Sequence, residues 1–391
     1  MTQVAWWVVV LSFLVIPVVW VLIDRAPALV AGFTGRKPSA GSPNEDFEIL
    51  VPIYGSVSYL ENVDYLRQYG AKVLLCTTNG ETAAFYRDLA GIAEKNGFRI
   101  YRAEAVAGGI GSDGRRATSG AARDMLVREA LEHVVRAAYV VCIDADSVTE
   151  RPFGELVGML AANGYDFASV PLVPSNTGTA LGQLQAYEYR SAMKLRHIAP
   201  WQVSGACHVA RAEAHRAVMR RHSLFFQGND VEAGLLAKAL GYRIGHLPFA
   251  VSTAVPDTVK SWYRQRLAWS GGEFRLFVMN LHLLVRHPVF WIYGAIVTTL
   301  GLPLRWVTLA TGGWALLVIF GLHFVATVCV HWRVRTPWLL LLPLYSLFNS
   351  LVMTPLGAIW YVRMAVADRN AGFIRARRSR SSRKLNPLAT A

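Results

Sequence analysis

Residues 138–147 read Ala-Tyr-Val-Val-Cys-Ile-Asp-Ala-Asp-Ser, an apolar run that ends in two carboxylates spaced by one residue. Its length and its β-branched and aromatic content are those of a strand buried on both faces. On an extended backbone Asp144 and Asp146 project to the same side. Two carboxylates at a strand tip repel each other unless a cation lies near them. A hard divalent ion, Mg2+ or Mn2+, completed by substrate phosphates answers that need. A capping Asp followed by a turn Asp is the plainer alternative.

The chain before this stretch repeats the pattern. Asp46–Tyr54 is a short apolar run followed by a helical pattern from Ser56 to Tyr69, and Ala71–Thr78 is a second strand. A helix to about Asn96, a strand at Arg99–Ala103 and a helix from about Thr118 to Val135 complete the series. Strands alternating with helices predict an α/β domain with a mostly parallel sheet covered on both faces. In such sheets ligands bind beyond the carboxyl ends of the strands.

Two further polar clusters follow. In Phe225-Phe-Gln-Gly-Asn-Asp-Val-Glu-Ala-Gly234, Asp230 stands where a helix begins, either as its N-cap or as a general base. A sugar hydroxyl becomes a nucleophile when such a carboxylate removes its proton as the bond forms, with Glu232 the weaker candidate for that role. In Ser261-Trp-Tyr-Arg-Gln-Arg-Leu-Ala-Trp-Ser-Gly-Gly272, the residues Arg264, Gln265, Arg266 and Trp269 lie within about one and a half helical turns. A guanidinium there suits a leaving diphosphate and an indole suits a sugar ring. An interfacial Trp/Arg anchor is the alternative.

The 391-residue chain is 53% hydrophobic but only 17% charged, with a mean hydropathy of +0.30. A soluble domain carries about 25% charged residues, and the deficit lies at the two ends. Val4–Ile23 is a 20-residue run without a charge, long enough as a helix to cross a hydrocarbon core of about 30 Å. Its length and the absence of a charged leader before it favour an uncleaved anchor over a signal peptide. Uncharged runs recur at Pro288–Leu304, Trp306–Val330 and Thr336–Val362, with Trp291, Trp306, Trp338, Trp360 and Tyr361 at their ends. The last run, broken by Pro343 and Pro355, reads as one pass or as two short ones. Phe274–Val285 reads as a helix lying in the interface or as a core helix of the globular domain. The expected organisation is an anchor at 1–24, a globular domain at 40–272, the interfacial helix at 273–286, three to four passes at 288–366 and a basic tail at 367–391. A soluble two-domain enzyme and a secreted disulfide scaffold are excluded.

Forty Lys and Arg against 26 Asp and Glu give a net charge of +14, much of it in the tail run from Arg375 to Lys384. No helix-turn-helix, zinc-finger or RNP pattern accompanies it, so membrane lipid is the expected partner rather than nucleic acid. The cysteines Cys76, Cys142, Cys207 and Cys329 stand in apolar contexts and are read as buried small hydrophobes.

Taken together, the order and spacing of these clusters resemble the membrane-embedded family 2 glycosyltransferases, which include hyaluronan, chitin, cellulose and poly-N-acetylglucosamine synthases. The series is a strand with Asp-x-Asp, an Asp opening a helix that ends Gly241-Tyr-Arg243, a Gln-Arg-x-x-Trp segment, then apolar spans. The resemblance runs from about residue 46 to 272. It implies a GT-A type, Rossmann-like α/β domain flanked by transmembrane helices, with the catalytic domain cytosolic on a multi-pass cell-membrane protein. It implies a UDP-sugar donor, a Mg2+ or Mn2+ cofactor, and inverting transfer to a growing polysaccharide. Transfer of one sugar to a lipid-linked acceptor and a catalytically silent partner in glycan export are the alternatives. By the same resemblance Asp144 lies near the nucleotide, Asp146 holds the metal and Asp230 is the catalytic base. Arg115 or Arg116 touches the nucleotide sugar. Gln265 and Arg266 hold the diphosphate, while Ser204, Gly205 and Trp269 border the acceptor. Two departures stand out: Thr77-Thr78-Asn79-Gly80 replaces the family's Asp-Asp-Gly at the nucleotide, and Ala268 replaces the arginine of its Gln-x-x-Arg-Trp motif.

Overall fold

The computed structural model describes residues 38–103, 119–224, 228–287 and 336–367, together with 321, 324, 325 and 328. Strand β1 (Phe47–Pro52) is buried at every position, Glu48 included, as befits a largely apolar strand with layers on both faces. It pairs in parallel with β2 (Val73–Thr78), which continues through helix α1 (Ala83–Asn96) into the parallel strand β3 (Arg99–Ala103). The Thr82 hydroxyl accepts from Phe85 N at the start of α1, and Gly97 closes it in the left-handed conformation. Helix α2 (Ser119–His133) leads into β4 (Tyr139–Ile143), which joins the other edge of β1 in parallel.

After β4 come α3 (Phe153–Ala162), β5 (Phe167–Ser169), β6 (Leu172–Pro174), α4 (Ala180–Leu195), β7 (Cys207–Arg211), α5 (Ala212–Arg221) and α6 (Asn229–Ala239). Then follow β8 (Ile244–His246), β9 (Val251–Thr253), α7 (Val259–Leu284), α8 (Leu342–Phe348) and α9 (Thr354–Ala367). Seven strands form one sheet in the order β3-β2-β1-β4-β7-β5-β8, while β6 and β9 form a parallel pair. The expected α/β, mostly parallel sheet is present. Strand β7 is the exception: it enters antiparallel between β4 and β5.

Successive strand residues feed two cores. Ile49, Val51, Leu75, Val141 and Ile143 pack with Leu89 of α1 and Leu156 of α3. Leu50, Leu74, Cys76, Val140 and Cys142 pack with Leu126, Val218 and Leu236 of α2, α5 and α6. That alternation is the two-residue period of a strand buried on both sides. Cys76, Cys142 and Cys207 are buried free thiols, as expected; Cys329 lies outside the described residues.

The helical pattern at Ser56–Tyr69 is a correction. The segment forms a 3-10 turn at Val57–Tyr59, one α-turn at Val63–Leu66 and a second 3-10 turn at Arg67–Lys72. The amides of Glu61 and Asn62 donate to the Ala145 carbonyl, at 2.9 and 3.1 Å, instead of to a helix of their own. Asn62 Nδ2 also donates to the carbonyls of Asp144 (3.0 Å) and Ser147 (2.8 Å). Local helix propensity yields here to the need to satisfy the peptides of the Asp-x-Asp loop.

Residues Phe274–Val285 continue the Trp/Arg segment as one helix, α7, bent at Asn280. One flank, with Arg275, Leu276, Asn280 and Leu284, is buried, while Phe274, Val278, Leu281 and Val285 are exposed. The expected anchor at 1–24, the runs Pro288–Leu304 and Trp306–Val330 apart from residues 321, 324, 325 and 328, and the basic tail beyond 367 lie outside the described residues. Thr336–Val362 folds as a 3-10 turn (Pro337–Leu341), α8, a π-turn (Asn349–Met353) and the first part of α9. Among the described residues no helix is long and apolar enough to cross a membrane.

Candidate active site

The site is built at the carboxyl end of β4. Asp144 N donates to Ala206 O at 2.9 Å, which ties the Asp-x-Asp loop to the residues that enter β7. Asp144 Oδ1 lies 3.0 Å from Arg123 Nε on α2. Burial, opposed by Arg123 and reinforced by the Asp146, Asp230 and Asp124 carboxylates, pushes the Asp144 carboxyl up to about 6. Burial raises Asp146 as well, against a hydrogen bond from Ser147, whose Oγ lies 3.2 Å from Asp146 Oδ1 and 3.0 Å from Thr253 Oγ1. Burial disfavours the ionised form of both carboxylates, and Asp146 further disfavours that of Asp144, so the two would fit a hard divalent cation.

Asp230 is not a helix cap. Gly228, at φ 80°, takes that place and Asp230 is the second residue of α6. Its Oδ2 accepts the backbone N–H of Gly205 at 2.7 Å, while the Gly205 carbonyl accepts from Arg123 Nη2. A Cβ on Gly205 would lie 2.6 Å from Arg123 Nη1 and 3.3 Å from Asp230 Oδ2, so the backbone approaches both groups only because no side chain is there. Asp144, Arg123, Gly205 and Asp230 therefore form one connected chain from the Asp-x-Asp loop to the expected base. Ser204, expected beside Gly205, is buried, and its carbonyl lies 3.1 Å from His208 Nδ1.

Arg123 was not among the expected residues. The signal was a charged residue on an apolar stripe: Arg123 precedes Leu126, Val127 and Ala130 at helical spacing, and those three are fully or nearly fully buried. Burial opposes its charge, but Asp144 and its acidic neighbours hold the guanidinium pKa above the usual value.

The Trp/Arg segment faces α4 and α8. Arg266, 3% exposed, donates to Glu188 Oε2 from Nη2 (2.6 Å) and Nε (3.1 Å), and Nη1 lies 2.5 Å from Gln265 Oε1. Glu188 Oε2 also accepts from Tyr345 OH at 2.6 Å, and Trp262 Nε1 donates to the same hydroxyl at 2.9 Å. The guanidinium lies over the Trp269 ring, 4.3 Å from its centre. Trp269 is itself 38% exposed, and its ring centre stands 6.1 Å from that of Tyr189. Arg266, expected to face a diphosphate, is thus committed to Glu188 in this structure.

At the end of β2 the Thr77 hydroxyl is buried without a partner among the described residues. Thr78 Oγ1 donates to Glu81 Oε1 at 2.9 Å, and Glu81 Oε2 accepts from Gly55 N at 3.1 Å. Glu81, unmarked in the sequence, brings a carboxylate to the strand end where Asp-Asp-Gly is missing. Arg115 and Arg116 lie outside the described residues. A separate buried group, Cys142, His208 and His215, offers one sulfur and two nitrogen donors within 4.8 Å of one another. Burial holds His208 down at about 3 and His215 well below its usual value, so both rings are neutral.

Comparison with known proteins bears on the family and the fold. The model of the glycosyl transferase family group 2 matches residues 139–367. An N-acetylglucosaminyltransferase of Neorhizobium galegae is 27% identical over 233 residues, covering 50% of this chain and 54% of the relative. One of Rhizobium meliloti (strain 1021) is 31% identical over 178 residues, covering 41% and 39%. The chain thus spans about half or less of the length of these curated relatives. A mannosyltransferase of Pyrobaculum calidifontis, solved in complex with GDP-Man and Mn2+, shares the fold over 90% of this chain and 99% of its own, with a TM-score of 0.52 at 15% identity. With the sheet, the carboxylate cluster and a family match over more than half of its 391 residues, the chain belongs to the glycosyl transferase family group 2.

Proposed function

We propose that this protein transfers a sugar from a UDP-sugar to a hydroxyl of a growing polysaccharide, with inversion at the anomeric carbon. An N-acetylhexosamine is the preferred donor sugar, a reading supported by the names of the rhizobial relatives. The observation that carries it is the connection of Asp144 through Arg123 and Gly205 to Asp230, which links the Asp-x-Asp loop, the proposed metal site, to the carboxylate proposed as base. When bound at Asp144 and Asp146, Mg2+ or Mn2+ supplies positive charge to the departing diphosphate. Arg123 fixes Asp144 and, through Gly205, the position of Asp230. Gly205 N–H holds Oδ2 of Asp230, leaving Oδ1 to take the proton of the acceptor hydroxyl as its oxygen attacks the anomeric carbon. The bond from that carbon to the nucleoside diphosphate breaks on the opposite face, and the electron pair leaves with the diphosphate. Trp269 provides the stacking surface for the acceptor ring. Attachment to the cell membrane through the apolar ends, with the catalytic domain cytosolic, would place the product beside its route out.

The test is incubation of the full chain in membranes with labelled UDP-N-acetylglucosamine and Mn2+, followed by sizing of the product. Asp230→Asn is expected to lower incorporation by about 10²- to 10⁴-fold while keeping Mn2+-dependent UDP binding. Undiminished incorporation by that variant, or incorporation indifferent to metal, refutes the assignment.

A further inference from the structure

The arginines around the site differ in one respect. Arg123 is paired with Asp144, Arg266 with Glu188 and Arg275 with Glu232. Arg196, which caps the C-terminal end of α4, makes no salt bridge among the described residues. Its Nη1 donates to the Met193 thioether at 2.7 Å, and its Nε is buried without a partner among the described residues. Arg196 is close enough to Asp230 and Tyr189 for their charges to act on it, and Tyr189 stands beside Trp269. Arg196 is half-buried with no acid at salt-bridge distance among the described residues, and burial pushes it down to about 10 while Arg123 and Arg266 are held above their usual value. Such a group presents unused donors in the planar geometry that suits phosphate oxygens.

We propose that Arg196 binds a phosphate group of a substrate at this site, supplying the cation that Ala268 does not and that Arg266, held by Glu188, does not present. This rests on the transferase reading above. The phosphate belongs either to the donor's diphosphate or to a phosphate-bearing acceptor; the chemistry is shared and the experiment separates the sources.

The full chain, Arg196→Met and Arg196→Lys are compared for binding of UDP, UMP and inorganic pyrophosphate in Mn2+, and for retention of inorganic phosphate by the UDP-loaded protein. If the donor supplies the phosphate, Arg196→Met binds UDP and pyrophosphate about 10- to 100-fold more weakly, its preference for UDP over UMP shrinks, and Arg196→Lys recovers part of the loss. If the acceptor supplies it, nucleotide affinities hold and phosphate retention by the UDP-loaded protein is lost instead. In both cases ligand-free Arg196→Met unfolds at the same or a higher temperature, because an uncompensated charge has been removed. Unchanged binding of every probe, or equal weakening of all of them with a lower unfolding temperature, overturns the proposal while the transferase reading stands. A wild-type chain that binds neither UDP nor pyrophosphate overturns both.

Discussion

Replacing one member of the Glu232–Arg275 pair should destabilise the protein far more than replacing both. Glu232 Oε2 accepts from Arg275 Nη2 and from Ser223 Oγ at 2.6 Å, and Ser223 Oγ in turn accepts from Arg275 Nη1 at 3.1 Å. The two charged side chains are 2% and 0% exposed, and the pair joins the first turn of α6 to the middle of α7. At that burial, removing one partner strands a charge away from water and costs about 3–5 kcal/mol. Glu232→Met and Arg275→Met should each lose about that much, whereas the double variant, with no stranded charge, should fall well short of the sum of about 6–10 kcal/mol. Urea denaturation followed by tryptophan fluorescence measures all four corners of the cycle. The pair also carries a pH signature. Burial alone would raise Glu232, but Arg275 and His222 hold its carboxyl below the usual range. Its stabilisation is therefore complete above the unfolded pKa of about 4.3 and is lost as pH falls through the lower folded value. Glu232→Met should lack that acid-side loss. Because Asp230 lies two residues before Glu232, the single variants should also lower turnover by displacing the base. Single costs under about 1 kcal/mol, or costs that simply add in the double variant, would refute the reasoning.

Mn2+-dependent UDP binding should strengthen as pH rises through about 6, where Asp144 releases its proton, and Arg123→Met should move that midpoint upward because Arg123 is the group that lowers it. Titration calorimetry between pH 5 and 8 checks this, and a flat profile contradicts it. Asn62→Ala should leave the Asp144 and Ser147 carbonyls without their donor, lowering stability by about 1–3 kcal/mol and weakening Mn2+ binding. Thermal unfolding with a Mn2+ titration is the check, and normal metal affinity would remove Asn62 from the support of the loop.

The structure also bears on the missing motif arginine. Ala268 leaves a gap in the family pattern, and Arg266 looks in the sequence like its natural replacement. Its partners, Glu188 on α4 and Tyr345 on α8, are 78 and 79 residues away. Those contacts make Arg266 a joint between three helices. Arg196, which carries no sequence signal beyond its charge, has no salt-bridge partner among the described residues and a buried Nε without a hydrogen bond.

The apolar runs and their alternation with helical segments were sufficient to predict the α/β sheet, because burial on both faces is written residue by residue into β1, β2 and β4. The clusters Asp144/Asp146, Asp230 and Gln265–Trp269 were legible for a related reason: carboxylates that end an apolar strand or open a helix are local breaks in a local pattern. What tertiary structure alone decided was which of these groups meet. The antiparallel entry of β7 brings Gly205 between Arg123 and Asp230, and capture of the 61–62 peptides by Ala145 unwinds a segment whose own pattern is helical. Glu81 takes up the Thr78 hydroxyl at the end of β2, and Glu188 takes Arg266. Periodicity encodes whether a side chain is buried and which way it points. The partner it finds there depends on strand order and helix packing, set by contacts between residues some 80 positions apart.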